Sequence, residues 1–320
     1  MPELICEAAF AQTMELVVEP ALAAMRQQIS MPLASGGALH AEIYTPETAR
    51  RAVVILHGYT ESGEKFREMT WYFIKAGYSV FVPDHRGHGH SVREVEDTSV
   101  THVDKFGQYV QDAGQFLKEI VLPRTCGLPL CLYAHSMGGA IGAMLLMEHP
   151  YAFTRAVLTA PMIAPSTAPF PGWVARLMAQ TMCALGKSRE RAFVGKPFDP
   201  AQETFERSFA SSRARFDYYE QKRIRYGHLQ NCAPTYGWVR EATGVTRTLL
   251  KPENAARIAT PLLLCQAARD TVVQLPPQNA FVRLLKDAQL QVFDARHEIY
   301  CSEDSVMGPY VDAVLNFLGQ

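Results

Sequence analysis

A serine, an aspartate and a histidine that lie far apart in the chain are the residues best suited to chemistry. The serine, Ser136, stands in the run YAHSMGG, where an apolar strand-like segment turns into a helical one. Small residues on either side of it, Ala134 and Gly138, let the backbone turn sharply and raise the hydroxyl above the sheet edge. We therefore predict that Ser136 is a nucleophile. Serine is also a favoured helix N-cap, and that alternative stays open.

Two backbone N–H groups are predicted to stabilise the negative charge that such a nucleophile creates on a carbonyl oxygen. The first belongs to Met137, which directly follows Ser136 at the positive end of the helix dipole. The second belongs to Tyr59, which follows His57 and Gly58 at the end of an earlier apolar run. An ordinary glycine turn after a strand explains the same His-Gly-Tyr sequence.

The base and the acid that would activate Ser136 are expected after it in the chain. A serine hydroxyl is a weak nucleophile until a base accepts its proton, and for a serine at such a turn the acid precedes the histidine in sequence. Asp270 directly follows the strand-like run PLLLCQA, and His297 directly follows LQVFDA. We predict that His297 is the base and that Asp270 orients it. Asp294 and Glu298 are alternative acids, but they lie so close to His297 in sequence that they would need unusual geometry.

The run DHRGHGHS, residues 84–91, contains three histidines and invites interpretation as a metal site. It follows an apolar run, its glycine spacing suits a tight loop, and no ordered set of ligands accompanies it. We interpret it as a loop that supports the floor of the active site. We expect neither a metal nor an organic cofactor.

Alternating strand-like and helical patterns begin near residue 39 and predict the scaffold. Runs such as VVIL and LLLC do not alternate with polar residues, which is typical of strands buried on both faces of a parallel sheet. Predicted strands cover about 39–45, 52–57, 79–85, 129–136, 156–163, 261–267 and 290–295, and predicted helices about 65–76, 103–120, 277–287 and 307–318, with another from 137. We predict an α/β fold with a mostly parallel central sheet and helices on both faces.

The segment 165–250 interrupts this alternation. It opens with the proline-rich run TAPFPGW, and its helical patterns lack strands of comparable apolarity between them. We predict a helical cap at 165–250, inserted into a core formed by 1–164 and 251–320. Between Lys187 and Arg225 the cap has ten Lys or Arg against six Asp or Glu. This surplus could attract a phosphate headgroup, or it could simply be solvated.

The composition excludes several classes of protein. The chain has 320 residues, 48% of them hydrophobic, and a formal net charge of -1, which gives no support for a nucleic-acid partner. Seven scattered cysteines without a CxxC motif indicate reduced thiols, and the N-terminus lacks the basic region of a signal peptide. No apolar run reaches about 18 residues. We expect a cytoplasmic protein with no obligate protein partner. We also expect one helix face near the N-terminus to pack on the protein or to touch a membrane peripherally. The residues of that face are Phe10, Met14, Leu16, Val17 and Leu22.

Several motifs resemble the monoacylglycerol lipase and bacterial lysophospholipase branch of the α/β-hydrolases. They are AHSMGGA, PDHRGHGHS, HVDKFGQYVQD, APTYGWVRE and RHEIYCSED, within a similarity that runs from about residue 40 to the C-terminus. Ala134 departs from the glycine usual before the nucleophile, and the residues after LHG vary widely in the family. The resemblance implies an α/β-hydrolase fold with an inserted cap and cleavage of lysophospholipids or monoacylglycerols. It also implies a triad of Ser136, Asp270 and His297 and oxyanion donors at Tyr59 and Met137.

In such a cap, apolar side chains would line an acyl-binding site. We predict this role for Phe170, Trp173, Leu177 and Met178, although packing against the core explains them equally well.

Two further functions stay open. The same triad could serve a broad-specificity carboxylesterase or a peptidase or amidase. An aminopeptidase would need an acidic subsite, for which the insertion offers Glu203, Glu206, Asp217 and Glu220. A non-catalytic binding module would keep the fold, but such proteins usually lose a member of the triad, and all three are present here.

Overall fold

An eight-stranded sheet forms the centre of the computed structural model, which describes residues 2–192 and 195–320. The strands are β1 (Arg26–Pro32), β2 (Ala38–Tyr44), β3 (Arg51–Leu56), β4 (Tyr78–Pro83), β5 (Val100–Thr101), β6 (Leu130–His135), β7 (Arg155–Thr159), β8 (Ala233–Pro234), β9 (Leu262–Ala267) and β10 (Ala288–Phe293). The sheet order is β1-β2-β4-β3-β6-β7-β9-β10. Only the pairs β1/β2 and β2/β4 are antiparallel within this sheet. The predicted mostly parallel sheet is confirmed.

Helices cover both faces of this sheet. They are α1 (Phe10–Thr13), α2 (Glu19–Met25), α3 (Arg67–Lys75), α4 (Gly107–Phe116), α5 (Leu122–Arg124), α6 (Met137–Glu148), α7 (Gly172–Ala184), α8 (Arg213–Arg225), α9 (Tyr236–Ala242), α10 (Val245–Leu249), α11 (Pro252–Ala255), α12 (Leu275–Leu284) and α13 (Asp304–Gly319). Alternate residues of β3 enter two separate apolar clusters. Val54 and Leu56 pack with α4 and α6, whereas Val53 and Ile55 pack with α3 and α13. Because both faces of the strand are buried, its sequence is continuously apolar.

The N-terminal helical segment differs from its prediction. Its buried residues recur at every fourth position from Phe10 to Leu22. Leu16 and Val17, which we expected on the same face, are instead 68% and 51% exposed. The π-helical turn at Met14–Val18 widens the spiral and turns Val17 outward, whereas Leu16, two residues from Met14, would face away from that side even in a regular α-helix.

One strand was not predicted, and another ends earlier than predicted. Strand β1 lies at the edge of the sheet and is mostly exposed, so its sequence RQQISMP has no apolar period to reveal it. Strand β7 ends at Thr159 rather than at 163, because Ala160 has a positive φ of 42° and Pro161 has no N–H to continue the ladder.

The segment 165–250 is mainly helical and contains α7, α8, α9 and α10. Strand β8 of this segment pairs in parallel with β5, which precedes α4 in the chain. The division into core and cap remains a prediction. Within residues 2–192 and 195–320, no helix combines the length and the apolarity that a membrane crossing requires.

Candidate active site

Ser136 occupies a strained turn between β6 and α6. Its φ of 52° and ψ of -116° lie outside the regions that side-chain-bearing residues usually adopt. The Ser136 N–H donates to the Thr159 carbonyl at 3.0 Å, and the Ser136 carbonyl accepts from the Met162 N–H at 2.8 Å. These bonds to Thr159 and Met162 hold Ser136 in a backbone conformation that is otherwise unfavourable.

The small residues around Ser136 allow the close packing of this turn. A Cβ at Gly138 would lie 2.2 Å from the Leu56 carbonyl oxygen, and a Cβ at Gly139 would lie 2.7 Å from the Pro161 side chain. The methyl group of Ala134 faces Gly142, where a Cβ would stand 3.1 Å from it. Gly142 therefore leaves room for an alanine two residues before Ser136.

The side chains of Ser136, His297 and Asp270 form a continuous relay. The Ser136 Oγ lies 2.8 Å from His297 Nε2, and His297 Nδ1 lies 2.6 Å from Asp270 Oδ2. Ser136 and His297 are only 5% and 4% exposed. Ser136 and Asp270 follow β6 and β9, and His297 follows β10, so the same edge of the parallel sheet presents all three.

Asp270 is held as a carboxylate. Its Oδ1 accepts hydrogen bonds from the Val272 and Val273 N–H groups at 2.8 and 3.0 Å. Burial alone would raise the pKa of Asp270, but the hydrogen bond and charge of His297 and the two amides lower it below its ordinary value. The alternative acids are engaged elsewhere, since Asp294 pairs with Arg269 at 2.9 Å and Glu298 pairs with Lys65 at 2.5 Å.

The two predicted oxyanion donors belong to two segments that adjoin Ser136. Met137 begins α6, and its N–H is one of those that no carbonyl within the helix accepts. Tyr59 follows Gly58, where a Cβ would lie 3.1 Å from the Ser136 Cβ, so the turn after β3 packs directly against the serine.

The DHRGHGHS loop is hydrogen-bonded to the segment after β3 that contains Tyr59. The His85 N–H donates to His57 Nε2 at 2.9 Å, and the Gly63 N–H donates to Asp84 Oδ1 at 2.8 Å. His88 is also fully buried, and burial keeps the pKa of both loop histidines, His85 and His88, well below the ordinary value. Among the residues that the structure describes, no three His, Cys, Asp or Glu side chains are arranged to hold a metal ion.

An apolar cavity of about 180 Å³, partly open to solvent, lies between α7 and α9. Its walls include Pro165, Phe170, Ala175, Trp238, Val239 and Ala242. The Trp238 ring lies 4.2 Å from the Tyr59 ring, and the Ser166 N–H donates to the Val272 carbonyl at 2.8 Å. The cavity therefore adjoins both the predicted oxyanion turn and the Asp270 loop.

Of the four residues predicted to bind an acyl chain, only Phe170 is part of this wall. Trp173, Leu177 and Met178 are 71%, 55% and 38% exposed and belong to the outer side of α7. Trp238 also lines the cavity but is not among the predicted acyl-binding residues, although it stands in the motif APTYGWVRE that carries the family resemblance.

The basic residues of the insertion are largely neutralised. Ion pairs join Arg189 to Asp104, Arg191 to Asp97, Arg215 to Glu68, Lys222 to Glu19 and Arg223 to Glu203. Glu19, Glu68, Asp97 and Asp104 come from outside the insertion, so these charges attach it to the rest of the protein. They give no support for a phosphate-binding surface.

Residues 47–304 match the protein family described as "Serine aminopeptidase, S33". The chain is 32% identical over 284 residues to "Lysophospholipase L2" of Escherichia coli (strain K12), covering 84% of this chain and 81% of that protein. It is 25% identical over 264 residues to "Monoacylglycerol lipase" of Mycolicibacterium smegmatis, covering 81% of this chain and 85% of the relative.

Solved structures share the fold. A soluble variant of monoglyceride lipase from Saccharomyces cerevisiae, in complex with a substrate analog, superposes with a TM-score of 0.72 at 18% identity and covers 92% of this chain and 94% of its own. A thermostable carboxyl esterase from Bacillus coagulans, in complex with glycerol, gives a TM-score of 0.74 at 19% identity, covering 92% and 98%. These matches confirm the resemblance in fold.

Proposed function

Because the chain belongs to the Serine aminopeptidase, S33 family and is an α/β-hydrolase similar to lysophospholipases and monoacylglycerol lipases, we propose that it hydrolyses the carboxylic esters of lipids. One observation carries the proposal. The Ser136–His297–Asp270 relay has contacts of 2.8 and 2.6 Å, and the wall of an apolar cavity touches both the Tyr59 ring and the loop that carries Asp270.

In the proposed mechanism His297 Nε2 accepts the Ser136 proton as the oxygen attacks the ester carbonyl. The N–H groups of Tyr59 and Met137 stabilise the tetrahedral oxyanion. The His297 imidazolium then donates its proton to the departing glycerol oxygen and leaves an acyl-enzyme. Water, deprotonated by His297, attacks the acyl carbon, releases the fatty acid and restores the serine. Asp270 remains ionised and holds Nδ1–H in the productive tautomer.

The acyl chain would enter the cavity between α7 and α9. The Trp238 and Tyr59 rings lie 4.2 Å apart, so a chain along this wall would leave its carbonyl next to the proposed oxyanion turn. The wall is mostly apolar side chains, which favours a hydrocarbon over a polar peptide side chain.

We also infer peripheral contact with a lipid surface. Trp173 and Leu177 lie four residues apart on α7 and are 71% and 55% exposed, and Leu185 just after the helix is 66% exposed. An exposed apolar helix side at the cap would place the cavity near the membrane that supplies the substrate.

All seven cysteines are free thiols, which supports a reducing compartment.

The aminopeptidase alternative finds less support. Glu203 lies 2.6 Å from the Arg223 guanidinium, Glu220 lies 3.4 Å from the same group, and Glu206 lies 2.6 Å from Arg213. Glu203 and Glu220 would have to give up a partly buried ion pair to bind a substrate amine, whereas the exposed pair of Glu206 costs little to break.

A substrate panel with the Ser136→Ala variant tests the proposal. We expect the wild-type protein to cleave long-chain monoacylglycerol and lysophospholipid, with little action on aminoacyl chromogenic substrates. Ser136→Ala should keep its circular dichroism and melting temperature while losing this activity. Unchanged turnover in Ser136→Ala would exclude the mechanism, and preferred cleavage of aminoacyl substrates would favour the peptidase alternative.

A further inference from the structure

We propose that Glu61 is a positioning residue that holds the oxyanion turn and links it to the segment carrying His297. This inference rests on the proposed hydrolase mechanism and adds a residue to it. Glu61 is 5% exposed and stands two residues after Tyr59, in the loop between β3 and α3.

The Glu61 carboxylate binds back to the backbone of the turn that precedes it. Its Oε2 accepts a hydrogen bond from the Gly58 N–H at 2.6 Å, and a Cβ at Gly58 would lie 2.7 Å from the same oxygen. This bond restrains the His57–Gly58 peptide, and the Gly58 carbonyl, 2.8 Å from His57 Nδ1, restrains the next peptide, which carries the Tyr59 N–H. The adjacent Tyr59 N–H is thereby held in a fixed direction for an incoming oxyanion.

The other carboxylate oxygen reaches the loop that follows β10. The Tyr300 hydroxyl donates to Glu61 Oε1, and Tyr300 is three residues after His297. The Lys65 ammonium lies 3.3 Å from Glu61 Oε1 and 2.5 Å from Glu298 Oε1. Glu61 and Lys65 thus join the oxyanion turn to both Glu298 and Tyr300, immediately after the proposed base.

Buried aromatic rings surround this cluster. The Tyr300 ring stacks on Phe66 at 4.6 Å, and the His135 ring lies 4.9 Å from the His297 ring and 5.0 Å from the Tyr300 ring. His135 Nε2 is 3.6 Å from Glu61 Oε1, too long for a hydrogen bond. Burial keeps the pKa of His135 well below its ordinary value, so Lys65 is the cation that balances Glu61.

A buried carboxylate at this place requires a reason beyond stability. Buried ion pairs are often no better for stability than apolar side chains of similar volume, because desolvating the charges opposes their attraction. A carboxylate, however, can accept from a backbone N–H and a phenol in two fixed directions at once, which an apolar side chain cannot do. The geometry therefore points to positioning rather than to folding alone.

The test compares Glu61→Ala, Glu61→Gln and the matched control Glu64→Ala. Glu64 is a carboxylate three residues further along the chain, and its partner is Lys222 at 3.4 Å. We expect Glu61→Ala to lower kcat at least tenfold with little change in KM, since loss of an oxyanion donor typically costs about 10²–10³ in rate. Glu61→Gln, which keeps one acceptor oxygen, should recover part of kcat, and Glu64→Ala should resemble wild type.

Inhibition by an alkyl boronic acid separates positioning from folding. The boronate forms a tetrahedral adduct with a serine nucleophile, so its Ki should rise in Glu61→Ala by about the same factor as kcat falls. An unchanged Ki, or an unchanged kcat in folded Glu61→Ala, would overturn the proposal. If Glu61→Ala does not fold, Tyr300→Phe decides: a parallel, smaller change in kcat and Ki supports positioning, and no change refutes it. Failure of the proposed function is distinguishable, because Ser136→Ala would then remain active.

Discussion

Gly138 on α6 lies so close to Leu56 at the end of β3 that a single methyl group would have no space. Its Cβ would stand 2.2 Å from the Leu56 carbonyl oxygen and 2.5 Å from the His57 carbonyl oxygen. Backbone atoms cannot swing aside as a flexible side chain does. The start of α6 and the end of β3 are therefore in contact through this glycine, and that contact sets the distance between Ser136 and the turn containing Tyr59.

We predict that Gly138→Ala displaces the start of α6 and lowers kcat/KM by about 10²-fold or more, because a shift of about 1 Å in a catalytic group has effects of that size. Overpacking should also reduce the free energy of unfolding by about 1–3 kcal/mol. Ester turnover and urea denaturation measure the two effects. Gly107→Ala is the control, since nothing lies within 4 Å of its added Cβ. Wild-type kinetics in Gly138→Ala would contradict this account.

The two arginines at the start of α8 should differ sharply in their effect on stability. Arg215 is 2% exposed and contacts Glu68 at 3.0 Å, Asp304 at 3.1 Å and the Ile5 carbonyl at 2.9 Å. Arg215→Met leaves the buried Glu68 without its cation, and we expect a loss of about 3–5 kcal/mol in the free energy of unfolding.

Arg213→Met is the matched control for that loss. Arg213 pairs with Glu206 at the surface, where solvent screens the attraction, so its removal should leave the urea midpoint unchanged within error. Equal effects of the two substitutions would show that burial does not determine the strength of these pairs.

The scaffold and the order of the proposed triad could be predicted because they depend on local patterns. Continuous apolar runs indicated the buried strands, and Asp270 and His297 directly follow two of them. Carboxyl ends of parallel strands meet at one sheet edge, so sequence position alone limited where these side chains could lie. The π-helical turn at Met14–Val18 had no such signal, because it changes the helical phase without a change in composition.

The remaining features depend on long-range packing. Glu61 meets Tyr300 across 239 positions of sequence, and neither residue stands in a run that marks it as buried. Helix α7 has apolar residues on more than one side, so the sequence could not distinguish Trp173, which is exposed, from Ala175, which is buried. In both cases the neighbouring elements decide which side chain is covered.

The ion pair between His40 and Asp84 should make stability depend on pH. His40 Nδ1 lies 3.0 Å from Asp84 Oδ2. Burial opposes the charge of His40, but the Asp84 hydrogen bond and charge raise the pKa of His40 above its ordinary value. A raised pKa stabilises the fold fully below the unfolded-state pKa of about 6.5, and this contribution disappears as pH rises through the folded-state pKa.

His40→Asn should therefore destabilise the protein more at about pH 5.5 than at about pH 8.5. At the lower pH the substitution removes a charged imidazole paired with Asp84, whereas at the higher pH the imidazole it removes is neutral. Urea denaturation of both proteins at the two pH values gives the difference. The pKa of Asp84 is lowered, so the stabilisation that its carboxylate gives is complete above about pH 4. That stabilisation is therefore the same at both pH values and does not affect the comparison. A difference in stability that does not vary with pH would rule out a charged His40.

The outer side of α7 should contribute to binding of lipid surfaces. Exposed Trp173 and Leu177 would bury apolar area in the bilayer interface. We predict that the double substitution Trp173→Ser and Leu177→Ser weakens cosedimentation with phosphatidylcholine–phosphatidylglycerol vesicles at least tenfold. Val292→Ser, at a 54% exposed position on the edge strand β10, serves as the control and should bind like wild type. Equal binding by all three proteins would remove α7 from the proposed membrane contact.

The cavity between α7 and α9 should set the preference for acyl-chain length. Ala242 is 1% exposed and lines this cavity with Ala175 and Trp238, so a larger side chain at 242 must occupy the space of a bound chain. We predict that Ala242→Phe lowers kcat/KM for a palmitoyl ester at least tenfold more than for a butyryl ester of the same alcohol, with Ala242→Val intermediate. The ratio of the two rates is the informative quantity, because a partly unfolded variant would lose both activities equally. If that ratio stays at its wild-type value in folded Ala242→Phe, the acyl chain binds elsewhere.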